Sequence, residues 1–199
     1  MELNSEVKEK RKYTYKVTPL IINRWSPRAM SGEELTDAEL MPLFEAARWA
    51  PSSYNGQPWR FIYAKKNTAH WNKMFNLLGD WNKQWCKNAA ALVVIIARKN
   101  FEHNNQPART YALDTGAAWE NLALEGTARG LVVHGMEAFD YEATRNELEI
   151  PSDYEVLAMA AIGKRGKKED LPQQMREGEF PSDRKPLNKI VMQGTFKES

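Results

Sequence analysis

Ala50-Pro51-Ser52-Ser53-Tyr54-Asn55-Gly56-Gln57-Pro58-Trp59 is the stretch on which the reading of this chain turns. Its prolines and its Asn-Gly pair stop a helix and build a polar loop, which leads into the short aromatic run Trp59-Arg60-Phe61-Ile62-Tyr63-Ala64. Serine, asparagine and glutamine offer uncharged donors and acceptors, a set that suits the amide edge of a planar heterocycle. The same residues also make an ordinary turn, and this string alone leaves both readings open.

Working outward, residues 36–50 place Leu40, Leu43, Phe44 and Ala47 on one helical face, with Thr36 and Glu39 spaced as a capping box. Pro42 removes an amide donor, so the regular helix is expected to start either at the box or near the proline. Residues 1–16 are charged and poor in aliphatics and read as an arm, with structure expected from about Val17. Downstream, residues 68–78 read as a helix. The β-branched run Ala-Ala-Leu-Val-Val-Ile-Ile-Ala over 90–97 reads as a strand buried on both faces. A long alanine-rich helix is expected over 107–129, then a strand at 131–133, an amphipathic helix at about 140–149 and a strand at 156–162. From Gly163 the chain is rich in proline and charge. Its Ile-Val-Met-Gln-Gly-Thr-Phe string is apolar enough to need cover, which a second subunit would provide. That order is mixed α+β, with residues 1–16 as an N-terminal arm and 17–199 as one domain that includes the tail.

Composition sets the outer bounds. With 42% hydrophobic and 27% charged residues the chain is an ordinary globular sequence, and a net charge of +2 argues for no strong field toward nucleic acid or an anionic membrane. The basic runs at 8–12 and 163–168 read as solvated surface. A single cysteine, Cys86, rules out an internal disulfide framework and fits a cytoplasmic setting, and the longest apolar run is too short to span a bilayer.

The usual phosphate signatures, G-x-G-x-x-G and G-x-x-x-x-G-K-[ST], are missing from the sequence, so any phosphate must be held another way. Arg24-Trp25-Ser26-Pro27-Arg28 is a candidate, because two guanidiniums flanking a hydroxyl can grip a phosphate by forked, charge-assisted hydrogen bonds. It also fits a solvated turn. The histidines His70, His103 and His134 lack ligand spacing, and Cys86 has no paired histidine nearby, so structural or surface roles are expected for them.

Taken together and in order, R-x-S-x-R, A-P-S-S-Y-N-G-Q-P-W-R-F and G-L-V-V-H-G-M-E-A-F-D resemble the nitroreductase family over nearly the whole chain. That resemblance implies an α+β fold with a central, mainly antiparallel sheet flanked by helices. It also implies an intertwined homodimer with two FMN sites at the interface, and a ping-pong reaction in which NAD(P)H reduces FMN and a small acceptor such as a nitroaromatic or quinone reoxidises it. By position, Arg24 and Ser26, with Trp25 between them, resemble phosphate contacts, and Arg28 the basic residue near the flavin pyrimidine. Ser52, Ser53, Tyr54 and Asn55, with Gln57 beside them, resemble the loop that the other subunit contributes. Asn82 resembles the asparagine on the flavin's amide edge, and Gly135, Met136, Glu137 and Ala138 the segment beside the ring, with the main-chain amide near Glu137 facing N5. Arg184 resembles a late phosphate-binding arginine, and Gly163 and Lys164 are expected to border the same pocket. Two departures stand out: Ala138 where the family often has glycine, and Arg165 where an aromatic-proline or proline-glycine turn is commoner. Other readings of the same scaffold are a flavin sensor or carrier without nicotinamide turnover, and a different flavin reaction such as reductive dehalogenation.

Overall fold

A β-branched run with no polar side chain is stable as a strand when both its faces are covered, and residues 91–97 are buried on both. The structure, a computed structural model, describes residues 2–197. Strands β1 (Trp59–Lys65), β2 (Ala91–Arg98), β3 (Leu131–Met136) and β4 (Tyr154–Lys164) form one four-stranded sheet in the order β1-β2-β4-β3, and every neighbouring pair is antiparallel. Around it lie helices α1 (Ser5–Lys10), α2 (Pro19–Asn23), α3 (Asp37–Arg48), α4 (Trp71–Asn76), α5 (Asp80–Cys86), α6 (Tyr111–Ala128), α7 (Tyr141–Glu147) and α8 (Gln173–Arg176).

The twofold alternation of β2 divides the core. Leu92, Val94 and Ile96 pack with Trp71, Met74, Trp85 and Met159 on one face. Ala91, Val93 and Ile95 pack with Leu40, Leu43, Ala118 and Leu122 on the other, beneath α3 and α6. Each buried valine, leucine or isoleucine contributes about 1.5–3 kcal/mol relative to exposure, so the two faces together fix the sheet between its helical layers.

One boundary left open by the sequence is decided and three differ from its reading. Helix α3 starts at the capping box and not near Pro42: both halves of the box form, with Thr36 N donating to Glu39 Oε2 at 2.8 Å and Glu39 N to Thr36 Oγ1 at 3.3 Å. The carbonyl that Pro42 cannot bond belongs to exposed Ala38, where solvent can reach it. Strand β3 runs on to Met136 because β4 pairs with it through Met136↔Met159, although His134 and Gly135 are weak strand formers. Helix α5 has no counterpart in the sequence reading and forms where Asn82, Trp85 and Cys86 bury one face. Ordered structure also begins ahead of Val17: α1 buries Val7 completely, and Asn4 N donates to Asn23 Oδ1 at 2.9 Å. Among the described residues no helix is long and apolar enough to cross a membrane.

Candidate functional site

Helix α6 buries Ala118, Leu122 and Ala123 in the core, which leaves Thr115, Gly116, Trp119 and Glu120 on a neighbouring stripe one turn apart. That stripe faces Gly135, Met136 and Glu137 at the end of β3 and Leu157 and Ala158 of β4, and between the two walls lies an open cavity of about 470 Å³. Gly135 is needed for close approach, since a Cβ there would lie 2.9 Å from Trp119 Cζ2. A Cβ on Gly116 would meet nothing within 4 Å, because it would project into the cavity.

The strand end that forms this wall is held from behind. The Ala138 carbonyl accepts from Gly79 N at 3.1 Å and from Asn82 Nδ2 at 3.0 Å, and Asn82 Oδ1 accepts from Trp85 Nε1 at 3.2 Å. Asn82, expected on the flavin's amide edge, is placed here as a buried brace within α5 that is not among the residues lining the cavity. Ala138 has no left-handed backbone, so the alanine that departs from the family pattern fits without strain.

The cavity adjoins a second, polar pocket of about 310 Å³ lined by Arg11, Arg24, Trp25, Ser26, Arg28, His134, Phe180, Ser182 and Arg184. Arg24 and Ser26 line both, which joins an apolar-walled cleft to a basic one. Arg24 Nε pairs with Glu120 Oε1 at 3.3 Å, and its Nη1 reaches Ser26 Oγ at 3.5 Å. Among the described residues Arg184 Nη1 bonds only within its own turn, to Ser182 and Asp183. His134 Nδ1 lies 2.9 Å from the Pro27 carbonyl; burial, with the Arg28 charge adding to it, pushes its pKa down and favours the neutral ring.

Glu179 organises the floor beside this pocket. Its fully buried carboxylate accepts from Arg28 N at 3.0 Å and from Ala29 N at 3.0 Å, and pairs with Arg165 Nη1. Arg165 in turn lies over the Trp25 ring, 5.0 Å from its centroid. The second departure from the family pattern thus fixes the Trp25–Ala29 segment from outside the cleft.

Two groups of expected residues lie elsewhere. Lys164 reaches Glu33 Oε2 at 3.3 Å and Glu39 Oε1 at 3.5 Å beside α3, and Gly163 packs under Met30, so neither lines the cavity or the basic pocket. None of the loop residues Ser52, Ser53, Tyr54, Asn55 and Gln57 lines this chain's own cavity or basic pocket, and Tyr54 is 85% exposed. Tyr54, Asn55 and Gln57 all have positive φ, at 51°, 53° and 44°. Such strain persists where surrounding bonds over-determine it. Here Ser53 N donates to buried Asp114 Oδ2 at 3.0 Å and Gln57 N to Ser52 Oγ at 3.1 Å.

Sequence reasoning missed Arg11, Trp119, Glu120 and His134. Arg11 sits in a charged string that looks solvated, and Trp119 and Glu120 in an alanine-rich helix whose cleft stripe carries no distinguishing period. Cys86 is buried against Met136 with its thiol pKa pushed up by desolvation, in keeping with a structural role.

The profile of the Nitroreductase family matches residues 21–83 and 64–164. A solved structure described as an oxidoreductase containing FMN is 38% identical, covers 95% of this chain and 97% of its own, and superposes with a TM-score of 0.91. Protein DrgA of Synechocystis is 26% identical over 187 residues, 79% of this chain and 85% of the relative. An oxygen-insensitive NADPH nitroreductase of Helicobacter pylori is 35% identical over a shorter span of 69 residues, 35% of this chain and 32% of the relative.

Proposed function

The chain belongs to the nitroreductase family, and from that premise we propose that it is an oxidoreductase that holds FMN in the joined cleft and carries electrons from NAD(P)H to a small oxidised acceptor. The observation that carries this reading is the junction at Arg24 and Ser26, where a cavity walled by Trp119 and Gly135–Glu137 meets a pocket of arginines. A planar ring fits against the first and a phosphate against the second. The donor set fits FMN on one further point: Arg11 lines that pocket, and its Nη2 is buried without a hydrogen-bond partner among the described residues, a donor that an acceptor-rich anion could satisfy. FMN, when bound, supplies the two-electron chemistry between nicotinamide and acceptor.

This chain's residues bind and orient. Arg24, Ser26 and Arg184 would hold the phosphate, and Arg28, which lines the same basic pocket, would direct its positive charge toward the ring from that side. Glu137 lines the cavity and would offer its main-chain amide to the ring, from a segment held by Phe139 N, which donates to the Glu137 carbonyl at 2.9 Å. The names of the FMN-containing structure and of the NADPH nitroreductase support the cofactor and the donor. We further propose a homodimer in which the exposed 52–57 loop of one copy closes the cleft of the other, and in which the exposed tail residues Ile190, Val191 and Phe196 find cover. A lone buried Cys86 fits work in a reducing cytoplasm.

The visible spectrum of the purified protein under argon tests the reading. A flavin band that bleaches on adding NADH or NADPH and returns with a nitroaromatic or quinone is the expected result. A band that persists would identify a flavin carrier, and a colourless protein that takes up no FMN would overturn the cofactor assignment.

A further inference from the structure

Arg11 stands just past the end of α1, ahead of the R-x-S-x-R string, in a segment whose sequence reads as solvating charge. Its guanidinium is held on two sides. Nη1 donates to the Arg24 carbonyl at 2.7 Å and to the Ile22 carbonyl, and Nε donates to the Ser182 carbonyl at 3.0 Å. One side chain therefore ties the approach to Arg24 to the turn that carries Arg184. The arm itself is anchored by fully buried Val7, and Trp25 Nε1 donates to Glu6 Oε1 at 3.2 Å.

With this scaffold in place, Nη2 is left buried and without a hydrogen-bond partner among the described residues. Burial, then the like charges of Arg184 and Arg24, hold the Arg11 pKa down to about 10, and Asp183 offsets them in part. Asp183 is engaged by Lys12 N at 3.4 Å, and the Arg24 guanidinium by Glu120. Four arginines on one small pocket, Arg11, Arg24, Arg28 and Arg184, repel one another unless an anion sits among them, and a buried guanidinium nitrogen without an acceptor is costly. A phosphate monoester supplies both the charge and the acceptors.

We propose that Arg11, delivered by the N-terminal arm, is a third arginine on the phosphate of the bound cofactor, so that the arm is part of the FMN site. This rests on the FMN reading above. It gives the arm a function that follows from geometry: the side chain that reads the phosphate also fastens the arm to residues 22–24 and to Ser182, so cofactor binding and arm docking reinforce each other.

The test compares FMN with riboflavin, which has the ring and lacks the phosphate, on the full-length deflavinated chain by flavin-fluorescence titration. In Arg11→Ala the FMN dissociation constant is expected to rise on the order of tenfold to a hundredfold while that of riboflavin stays put. Arg11→Lys, which keeps the charge and loses the fork, is expected to recover part of the loss, and it serves as the reporter if the alanine variant does not fold. Equal weakening of FMN and riboflavin would make Arg11 a structural strut and overturn the proposal, as would no change in either. A parent chain that binds FMN while its Arg11 variants match it refutes the arginine alone, whereas a parent that binds neither flavin refutes the cofactor reading and this inference with it.

Discussion

Arg28 offers its guanidinium to the basic pocket without a hydrogen bond or ion pair among the described residues, while its main-chain N–H goes to Glu179. A charge held in place and not neutralised by a neighbour can act on whatever occupies the cleft. Electron transfer to the ring places negative charge on its pyrimidine side, so a cation there stabilises the reduced cofactor more than the oxidised one. Flavin-loaded Arg28→Gln is therefore expected to have a lower two-electron midpoint potential and slower reduction by NAD(P)H. A contribution of about 1.5–3 kcal/mol for a charged partner corresponds to a fall on the order of 30–65 mV. Glu137→Gln changes both less, because the proposed contact there is main-chain. Spectroelectrochemistry separates the alternatives: an unchanged potential with weaker FMN binding would place Arg28 on the phosphate, beside Arg24 and Arg184. At this scale the sequence was legible where a residue type carries its own chemistry, as with Arg24, Ser26, Arg28 and Arg184, all of which line the joined pockets. It says less where a polar side chain is turned inward, as Asn82 is toward Ala138, because the direction of a side chain depends on packing that no local string records.

Helix α6 is the element on which cleft and core meet, and two of its glycines separate those duties. Gly126 packs so closely on Val133 of β3 that an added methyl would overlap the valine side chain, whereas Gly116 faces the cavity. Glycine to alanine in a helix gains about 1 kcal/mol by propensity, and overpacking costs about 1–3 kcal/mol. Gly126→Ala is accordingly expected to lose up to about 2 kcal/mol net, and Gly116→Ala to gain up to about 1 kcal/mol while crowding the cofactor and weakening FMN binding. Urea denaturation of the two variants checks this, and equal stabilisation by both would contradict the packing of α6 on β3. Elements with a strong period or composition, such as β2 and α6, were legible in the sequence. The C-terminal half of β3 was not, because its strand state is imposed by pairing with β4. Nor was α1, which buries one valine, Val7, in an otherwise charged segment.

For the whole molecule, the four-stranded antiparallel sheet with helices on both faces agrees with the α+β architecture that the resemblance implied, and the family assignment agrees with the motifs that suggested it. Assembly is where a single sequence is least informative, since an exposed loop and an uncovered tail look alike whether they meet solvent or a second copy. The strained 52–57 loop, with Tyr54 85% exposed, and the open apolar residues of the tail are the features that a shared site explains together. If each cleft is closed by the loop of the other copy, cofactor and assembly are linked, and neither persists in a folded single chain. Native mass spectrometry of the protein as purified, supplemented with FMN, measures both at once. The account predicts a dimer carrying two FMN, with no flavin on any monomer released by dilution. A folded monomer that retains FMN, or a dimer that takes up none, would contradict it.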